Sequence, residues 1–153
     1  MINVWDYSAA QAAAKTRGHE RAHAIAFDAL NDELRRQTIF ANDIVISMLP
    51  PQLHILVAKD CIECRKHLVT ASYVSKEMQE LSIDVKRAGL LFMCEMGLDP
   101  GIDHMSAMKV IHTIQQEGGT ITGFKSGTGG LVAPESDNNP WHYKVTWNPR
   151  NVV

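Results

Sequence analysis

Short apolar runs alternate with longer amphipathic stretches along the first two thirds of the chain. Such runs are typical of strands buried in a parallel sheet, and the longer stretches have the spacing of helices with one apolar face. The pattern predicts strands at 2–5, 24–27, 44–49, 67–72 and 90–94, and helices at 9–17, 32–40, 53–66 and 76–88. Because strands and helices alternate with short connections, we expect an α/β fold with a doubly wound parallel sheet.

The pattern changes after residue 98. A helix is predicted from 103 to 116, with Asp103 suited to its N-cap and two glycines after its end. Alternation with period two then predicts a strand at 120–126, and a further strand is predicted at 144–147. We therefore expect two domains, 1–98 and 99–153, of which the second begins an α+β region.

The composition is that of a soluble globular protein, with 45% hydrophobic and 21% charged residues. A formal net charge of −2 provides no basic surface for nucleic acid. No apolar run reaches the roughly 20 residues of a membrane span, and the N-terminus has no export signal. Three cysteines, an odd number, fit reduced thiols better than a disulfide framework. We expect a cytoplasmic protein that binds neither nucleic acid nor membrane.

The string G-L-D-P-G-I-D-H at 97–104 follows the last predicted strand. It places the carboxylates of Asp99 and Asp103 and the imidazole of His104 near the carboxyl end of that strand, where open parallel sheets bind ligands. Its two glycines permit a sharp bend or the close approach of a ligand. An ordinary strand-to-helix loop is the alternative, and the residues alone leave both interpretations open.

The first predicted strand ends at Asp6, where dinucleotide-binding folds place the carboxylate that bonds the ribose 2′-hydroxyl. Tyr7 and Ser8 follow, and Ser8 is suited to cap the next helix. Such folds also begin with a strand and a G-x-G-x-x-G turn that seats the pyrophosphate. No such turn occurs in this sequence, and Met1 falls where the second strand would begin. We therefore expect a Rossmann-like sheet that lacks its first βα unit.

Two short motifs resemble metal or redox sites. His19 and His23 match H-E-x-x-H, but that motif binds zinc only within a helix, and here a glycine precedes it and a predicted strand follows. Cys61 and Cys64 form a C-x-x-C within a predicted helix, where packing is the better explanation. We predict no metal site, and we expect 19–23 to be a solvated loop.

Several stretches together resemble the saccharopine dehydrogenase family, of the L-glutamate-forming type (saccharopine reductase). The most specific is the string at 97–104. The others are D-I-V-I-S-M-L-P at 43–50, T-A-S-Y-V-S at 70–75, G-G-L-V-A-P-E at 129–135, N-P-W at 139–141 and W-N-P-R at 147–150. The resemblance implies an NAD(P)-dependent oxidoreductase of lysine metabolism, which interconverts saccharopine with aminoadipate semialdehyde and glutamate through an imine. It also implies that 1–98 is part of a dinucleotide-binding (Rossmann) domain and that 99–153 begins a substrate domain.

The resemblance further implies roles for residues at the strand ends. Asp99 would be catalytic and would lie near the reacting amine. The residues implied to contact the amino-acid substrate are Ala71, Ser72 and Tyr73. The residues implied to contact the dinucleotide are Asp6, Tyr7, Ser8, Phe27, Asp28, Met48, Leu49, Gly97, Leu98, Asp99 and Asn148. Because the carboxylate of Asp6 would repel a 2′-phosphate, we expect NAD to be favoured over NADP.

The chain departs from the family pattern in places, and two alternatives stay open. Gly127 and Thr128 stand where the family often has Tyr-Cys, and the later part of the substrate domain, with its carboxylate-binding arginine, is absent. One alternative is a carboxynorspermidine- or homospermidine-type synthase, which reduces a similar imine. The other is an inactive truncated chain that only assembles with other chains, since open sheet edges invite pairing. We expect a homo-oligomer.

Overall fold

A computed structural model of the chain describes residues 1–127 and 129–145. The strands in these residues are β1 (Ile2–Asp6), β2 (Ala22–Ala26), β3 (Ile44–Ser47), β4 (His67–Thr70) and β5 (Phe92–Met93). The α-helices are α1 (Ala9–Thr16), α2 (Asp32–Phe40), α3 (His54–Glu63), α4 (Lys76–Glu80), α5 (Ser82–Arg87) and α6 (Ile102–Gln116). The alternation of strand and helix confirms the predicted α/β class.

Three helices begin at residues that cap their first turn. The side-chain oxygens of Ser8, Asn31 and Ser75 accept hydrogen bonds from the backbone N–H three residues later, at 3.4, 3.0 and 3.2 Å. These caps satisfy N–H groups that have no partner within the helix. Asp103, in contrast, is not the N-cap that the sequence predicted, because α6 begins at Ile102.

The strands form two parallel sheets rather than the single sheet predicted. One sheet has the order β1-β2, with Ile2 opposite Ala22, and the other has the order β3-β4-β5. A doubly wound sheet of the order 3-2-1-4-5-6 divides in this way when its first strand is removed. The amide Nδ2 of Asn3, in β1, donates to Oδ1 of Asn42, which lies two residues before β3, at 2.9 Å.

The best-packed part of the molecule lies between α2, α3 and β4. Its buried apolar side chains are Ile39, Val57, Ala58, Cys61 and Leu68. Cys61 is fully buried, and burial raises the pKa of its thiol to about 12. All three cysteines are free thiols. The C-x-x-C motif therefore contributes packing, as the sequence indicated.

One face of β3 is exposed, which contradicts the prediction of a strand buried on both faces. Val45 and Leu49 pack against the core, but Ile44 and Ile46 are 51% and 66% exposed. In the described part of the chain, β3 pairs only with β4 and is therefore an edge strand. A strand is covered on both faces only when elements pack on both sides of its sheet, and the sequence pattern cannot show whether they do.

Other elements differ from the predictions in extent. The helix predicted at 76–88 is two helices, α4 and α5, divided at Leu81, whose side chain packs against the core. β2 begins at Ala22, so His23 lies in a strand and not in the predicted loop, and it shares no helix face with His19. None of the described residues forms a group of three or more histidine, cysteine, aspartate or glutamate side chains placed to hold a metal ion.

The strand predicted at 120–126 is not formed. A strand needs a partner for its backbone groups, and no described residue pairs with this segment. The strand predicted at 144–147 lies partly outside the described residues, and Lys144 and Val145 are not in a strand.

The chain divides into two compact units, Met1–His104 and a second unit that begins at Met105. The first contains all five strands. In the second, the described residues contain the rest of α6 and a single 3-10 turn at Pro134–Ser136. None of the described helices is long and apolar enough to cross a membrane.

Candidate active site

The ends of β1 and β2 bring together the residues predicted at the adenosine side of a dinucleotide. The backbone N–H of Phe27 donates to the carbonyl of Asp6 at 2.9 Å, and the ring of Phe27 lies 6.3 Å from that of Trp5. Asp28 follows and accepts from the N–H of Leu30 at 2.9 Å. The predicted residues in this group therefore share the carboxyl edge of one sheet.

Asp6 lies at the centre of this edge as an ionised group. Its carboxylate contacts the ammonium of Lys15 and accepts from the N–H of Ser8 at 2.9 Å. The Lys15 hydrogen bond, followed by the Ser8 N–H, holds the pKa of Asp6 below its ordinary value. The carboxylate therefore does not stand alone, since a cation from α1 accompanies it. Tyr7 beside it is 84% exposed.

The ends of β3, β4 and β5 form a second group. The N–H of Met96 donates to the carbonyl of Thr70 at 3.0 Å, and the N–H of Glu95 donates to the carbonyl of Ser72 at 2.9 Å. The segment after β5 is thereby fixed against the segment after β4. A Cβ placed on Gly97 would lie 3.2 Å from the side chain and carbonyl of Ala71, a tight distance at which Ala71 would have to move by a few tenths of an ångström.

The loop after Gly97 closes on itself. The N–H of Gly97 donates to the carbonyl of Pro100, and the N–H of Ile102 donates back to the carbonyl of Gly97, both at 3.0 Å. Gly101 has a φ of 144° and lies so close to Gly97 that a Cβ would be 2.2 Å from its carbonyl oxygen. Only glycine fits there. The loop leaves Leu98 and Asp99 exposed at its tip.

An imidazole–carboxylate pair follows the loop. The Asp103 carboxylate accepts from the N–H of Gly101 and contacts Nδ1 of His104, both at 2.8 Å. The Asp103 hydrogen bond raises the pKa of His104, and the negative charges of Asp99 and Glu95 raise it further. The string at 97–104 therefore forms a hydrogen-bonded turn. The carboxylates of Asp103, Asp99 and Glu95 lie near the imidazole of His104.

The structure also contains a residue that the sequence analysis missed. His54, at the start of α3, is only 4% exposed, and its Nδ1 and Nε2 each lie 2.8 Å from a serine hydroxyl, Ser47 and Ser72. Burial lowers the pKa of His54. The only local signal is a histidine on the apolar side of an amphipathic helix. Its partners come from other elements, which no local pattern can show.

The remaining predicted site residues follow β3 or lie elsewhere. Leu49 is partly buried against the core, whereas Met48 is 76% exposed. Tyr73, beside Ser72, is 38% exposed. Asn148 lies outside the described residues, as does Thr128 of the glycine-rich segment.

Two histidines with opposite pKa shifts give a prediction for the pH dependence of stability. His54 binds a proton less readily in the folded chain than its ordinary pKa of 6.5, so the free energy of unfolding should fall as pH drops below 6.5. His104 has a raised pKa, so it should add stability as pH falls through its folded pKa toward 6.5. Denaturant unfolding between about pH 5 and 8 measures both effects.

Single variants separate the two contributions. His54→Gln should remove the loss of stability that occurs as pH falls below 6.5. His104→Gln should remove the gain of stability that occurs as pH falls toward 6.5. A His54→Gln chain that loses stability with acid as steeply as the parent would contradict the burial argument.

Two family models match nearly the whole chain. The saccharopine dehydrogenase NADP binding domain matches residues 1–93, and the saccharopine dehydrogenase C-terminal domain matches residues 97–153. The first match alone covers more than half of the chain. The chain belongs to the saccharopine dehydrogenase family.

Relatives of known name support this membership. The chain is 49% identical over 113 residues to a mitochondrial alpha-aminoadipic semialdehyde synthase of Mus musculus. The matched residues make up 74% of the chain and 12% of that relative. It is 41% identical over 144 residues to the NADP(+), L-glutamate-forming saccharopine dehydrogenase of Saccharomyces cerevisiae. Here the matched residues make up 94% of the chain and 32% of the relative. The family that the sequence indicated is thus confirmed.

A solved structure confirms the fold. The apo, L-Glu-forming saccharopine dehydrogenase from Saccharomyces cerevisiae superposes with a TM-score of 0.73 at 38% identity, over 98% of this chain and 34% of that one. The chain therefore spans about a third or less of the length of these relatives. The matching domain model and the yeast relative are both named for NADP, which does not support the preference for NAD inferred from Asp6.

Proposed function

We propose that this chain forms part of the active site of an oxidoreductase that interconverts saccharopine with aminoadipate semialdehyde and glutamate. The single observation that carries this proposal is the pair of backbone hydrogen bonds from Glu95 and Met96 to Ser72 and Thr70, which joins the two predicted ligand segments at the carboxyl ends of adjacent parallel strands. The yeast relative is named as an L-glutamate-forming saccharopine dehydrogenase and the mouse relative as an alpha-aminoadipic semialdehyde synthase, and both names favour this function over the polyamine-synthase alternative.

The residues at the strand ends suit a dinucleotide that lies across the carboxyl edge of both sheets. Asp6, Tyr7, Ser8, Phe27 and Asp28 would contact the adenosine. The residues proposed to line the remaining length are Met48, Leu49, Gly97, Leu98, Asp99 and Asn148. A bound dinucleotide would supply or accept the hydride. The strand ends would hold it and the substrate in the orientation that hydride transfer requires.

Asp99 is the residue proposed to exchange a proton with the reacting nitrogen. It is exposed at the tip of a turn whose backbone is fixed by hydrogen bonds on both sides of Gly97. A carboxylate held in this way can act as a general base without a large rearrangement. Ala71, Ser72 and Tyr73 would contact the amino-acid substrate from the neighbouring strand end. The domain boundary between 98 and 99 remains a prediction and would lie within this turn.

Lys15 makes NADP the more suitable dinucleotide. The carboxylate of Asp6 contacts a cation, so the group that should repel a 2′-phosphate is accompanied by a positive charge of the kind that attracts one. The Lys15 side chain is 56% exposed and can reach a ligand at the end of β1. We therefore assign NADP, with Lys15 as its proposed 2′-phosphate contact.

The proposal can be tested in a chimera, which is the yeast saccharopine dehydrogenase with its matching third replaced by this chain. Lys15→Met in the chimera should lower kcat/KM for NADP⁺ by roughly 10-fold, as expected for one charge-assisted contact, and leave that for NAD⁺ unchanged. Lys59→Met, which removes an exposed lysine from α3, is the matched control. An equal loss with both dinucleotides would contradict the assignment of Lys15.

The sheet edges bear on whether the chain can act alone. Within the described residues, β1 and β3 each lack a partner on one side, and the sequence has no glycine-rich phosphate turn. We propose that the isolated chain does not turn over saccharopine, because activity needs a further strand and turn between β1 and β3. Association with other copies and a cytoplasmic location remain predictions.

A further inference from the structure

A buried chain of three side chains connects the core to the proposed substrate edge. Ser47 ends β3, His54 begins α3 and Ser72 follows β4, so three separate elements hold them. The imidazole of His54 lies between the two hydroxyls, at 2.8 Å from each. Ser47 and His54 are both 4% exposed, whereas Ser72 is partly exposed. The arrangement therefore runs from the interior to the surface.

The direction of these hydrogen bonds follows from the surroundings of Ser47. Burial favours the neutral imidazole, in which one ring nitrogen donates and the other accepts. In the described part of the chain, the Ser47 side chain contacts no hydrogen-bonding group except Nδ1 of His54. A buried hydroxyl proton without an acceptor is costly, so Ser47 donates to Nδ1. The ring proton then lies on Nε2.

The position of the ring proton determines which hydrogen bonds the Ser72 hydroxyl can make. In this tautomer, Nε2–H of His54 would donate to Oγ of Ser72, which lies 2.8 Å away, and the Ser72 hydroxyl proton would be left to donate elsewhere. Among the described residues no acceptor lies within hydrogen-bonding distance of it. The backbone of Ser72 is held in place as well, because its N–H donates to Oγ1 of Thr70 at 3.2 Å and its carbonyl accepts from Glu95.

We propose that Ser47 and His54 hold the Ser72 hydroxyl as an outward hydrogen-bond donor for a carboxylate of the amino-acid substrate. His54 is in this sense a positioning residue. The opposite ring tautomer would take up the Ser72 proton and present only oxygen lone pairs, which repel a carboxylate. The donor arrangement stands on the geometry, and the identity of the ligand rests on the proposed function.

Nitrogen-15 NMR of the His54 ring in the intact chain tests the direction. We expect the Nε2–H tautomer in the parent chain and an increased share of the Nδ1–H tautomer in Ser47→Ala, because the donor to Nδ1 is removed. Ser75→Ala, which alters a serine that caps α4 and does not contact His54, should leave the tautomer unchanged. An Nδ1–H tautomer in the parent chain would overturn the proposal.

Titration of the chain with L-saccharopine tests the ligand. Ser72→Ala should raise Kd by roughly 10-fold to 100-fold, the range for a hydrogen bond to a charged group. His54→Gln should have a smaller effect, and none in the Ser72→Ala background, because His54 acts through Ser72. Equal affinity of Ser72→Ala and the parent would overturn the proposal. If the expected tautomer is found but saccharopine does not bind, the assignment of the ligand is wrong and the donor arrangement of Ser72 is still supported. The proposed function is tested separately, by the activity of the chimera.

Discussion

Asp60→Ala should lower the free energy of unfolding by about 3–5 kcal/mol, the cost of removing one partner of a buried ion pair, although Arg35 keeps its contact with the exposed carboxylate of Asp32 at 2.9 Å. The Asp60 carboxylate is 2% exposed and accepts from Nε of Arg35 at 2.6 Å and from Nε of Arg36 at 3.1 Å. Arg35 is itself 4% exposed, and this ion pair joins α2 to α3. Removal of Asp60 leaves the guanidinium of Arg35 buried with less compensation.

Glu63→Ala is the matched control for this measurement. Glu63 also contacts Arg36, at 3.5 Å, but both side chains are more than half exposed. Exposed pairs of this kind contribute between about 0 and 1 kcal/mol. Denaturant unfolding of the two variants should therefore give clearly different midpoints. Equal, small losses in both would show that water reaches Arg35 and that the pair does not hold α2 against α3.

Asp99→Asn in the chimera should lower kcat for saccharopine oxidation by about 10²–10⁴-fold, the usual contribution of a general acid–base group. The change keeps the size of the side chain and removes its ability to take a proton. Because Asp99 is exposed on a turn fixed by other residues, the fold should be retained. Steady-state rates with saturating NADP⁺ and saccharopine measure the effect.

Asp84→Asn, at an exposed site on α5, is the control for the loss of one negative charge. It should leave kcat unchanged. If Asp99→Asn keeps full activity over the whole pH range, another group exchanges the proton, and the acidic side chains around His104 become the first to test.

Local signals in the sequence predicted the five strands and most of the helices. Ser8, Asn31 and Ser75 cap helices because capping depends on neighbours within a few residues. The strand ends of a parallel sheet lie at one edge, so the association of Ala71 with Gly97 could be expected once the strands were placed.

Features that depend on distant partners could not be predicted. The Arg35–Asp60 pair spans two helices, and the His54 imidazole meets hydroxyls from two strand ends. The exposure of Ile44 and Ile46 depends on what lies beside β3, which the apolar pattern does not report. The preference for NAD rested on the Asp6 carboxylate alone and is not supported by the NADP names of the matching domain model and the yeast relative. The strand-end pattern does not report the contact of Asp6 with Lys15.

The most direct test of the proposed function is the rate at which the chimera forms NADPH from NADP⁺ and saccharopine. We predict a rate that saturates with both substrates and that is absent when saccharopine is omitted. The chimera must first be shown to be folded, by a cooperative unfolding transition. A folded chimera that binds NADPH but forms none in the presence of saccharopine would contradict the account, because residues 1–153 would then not supply their part of a saccharopine dehydrogenase site.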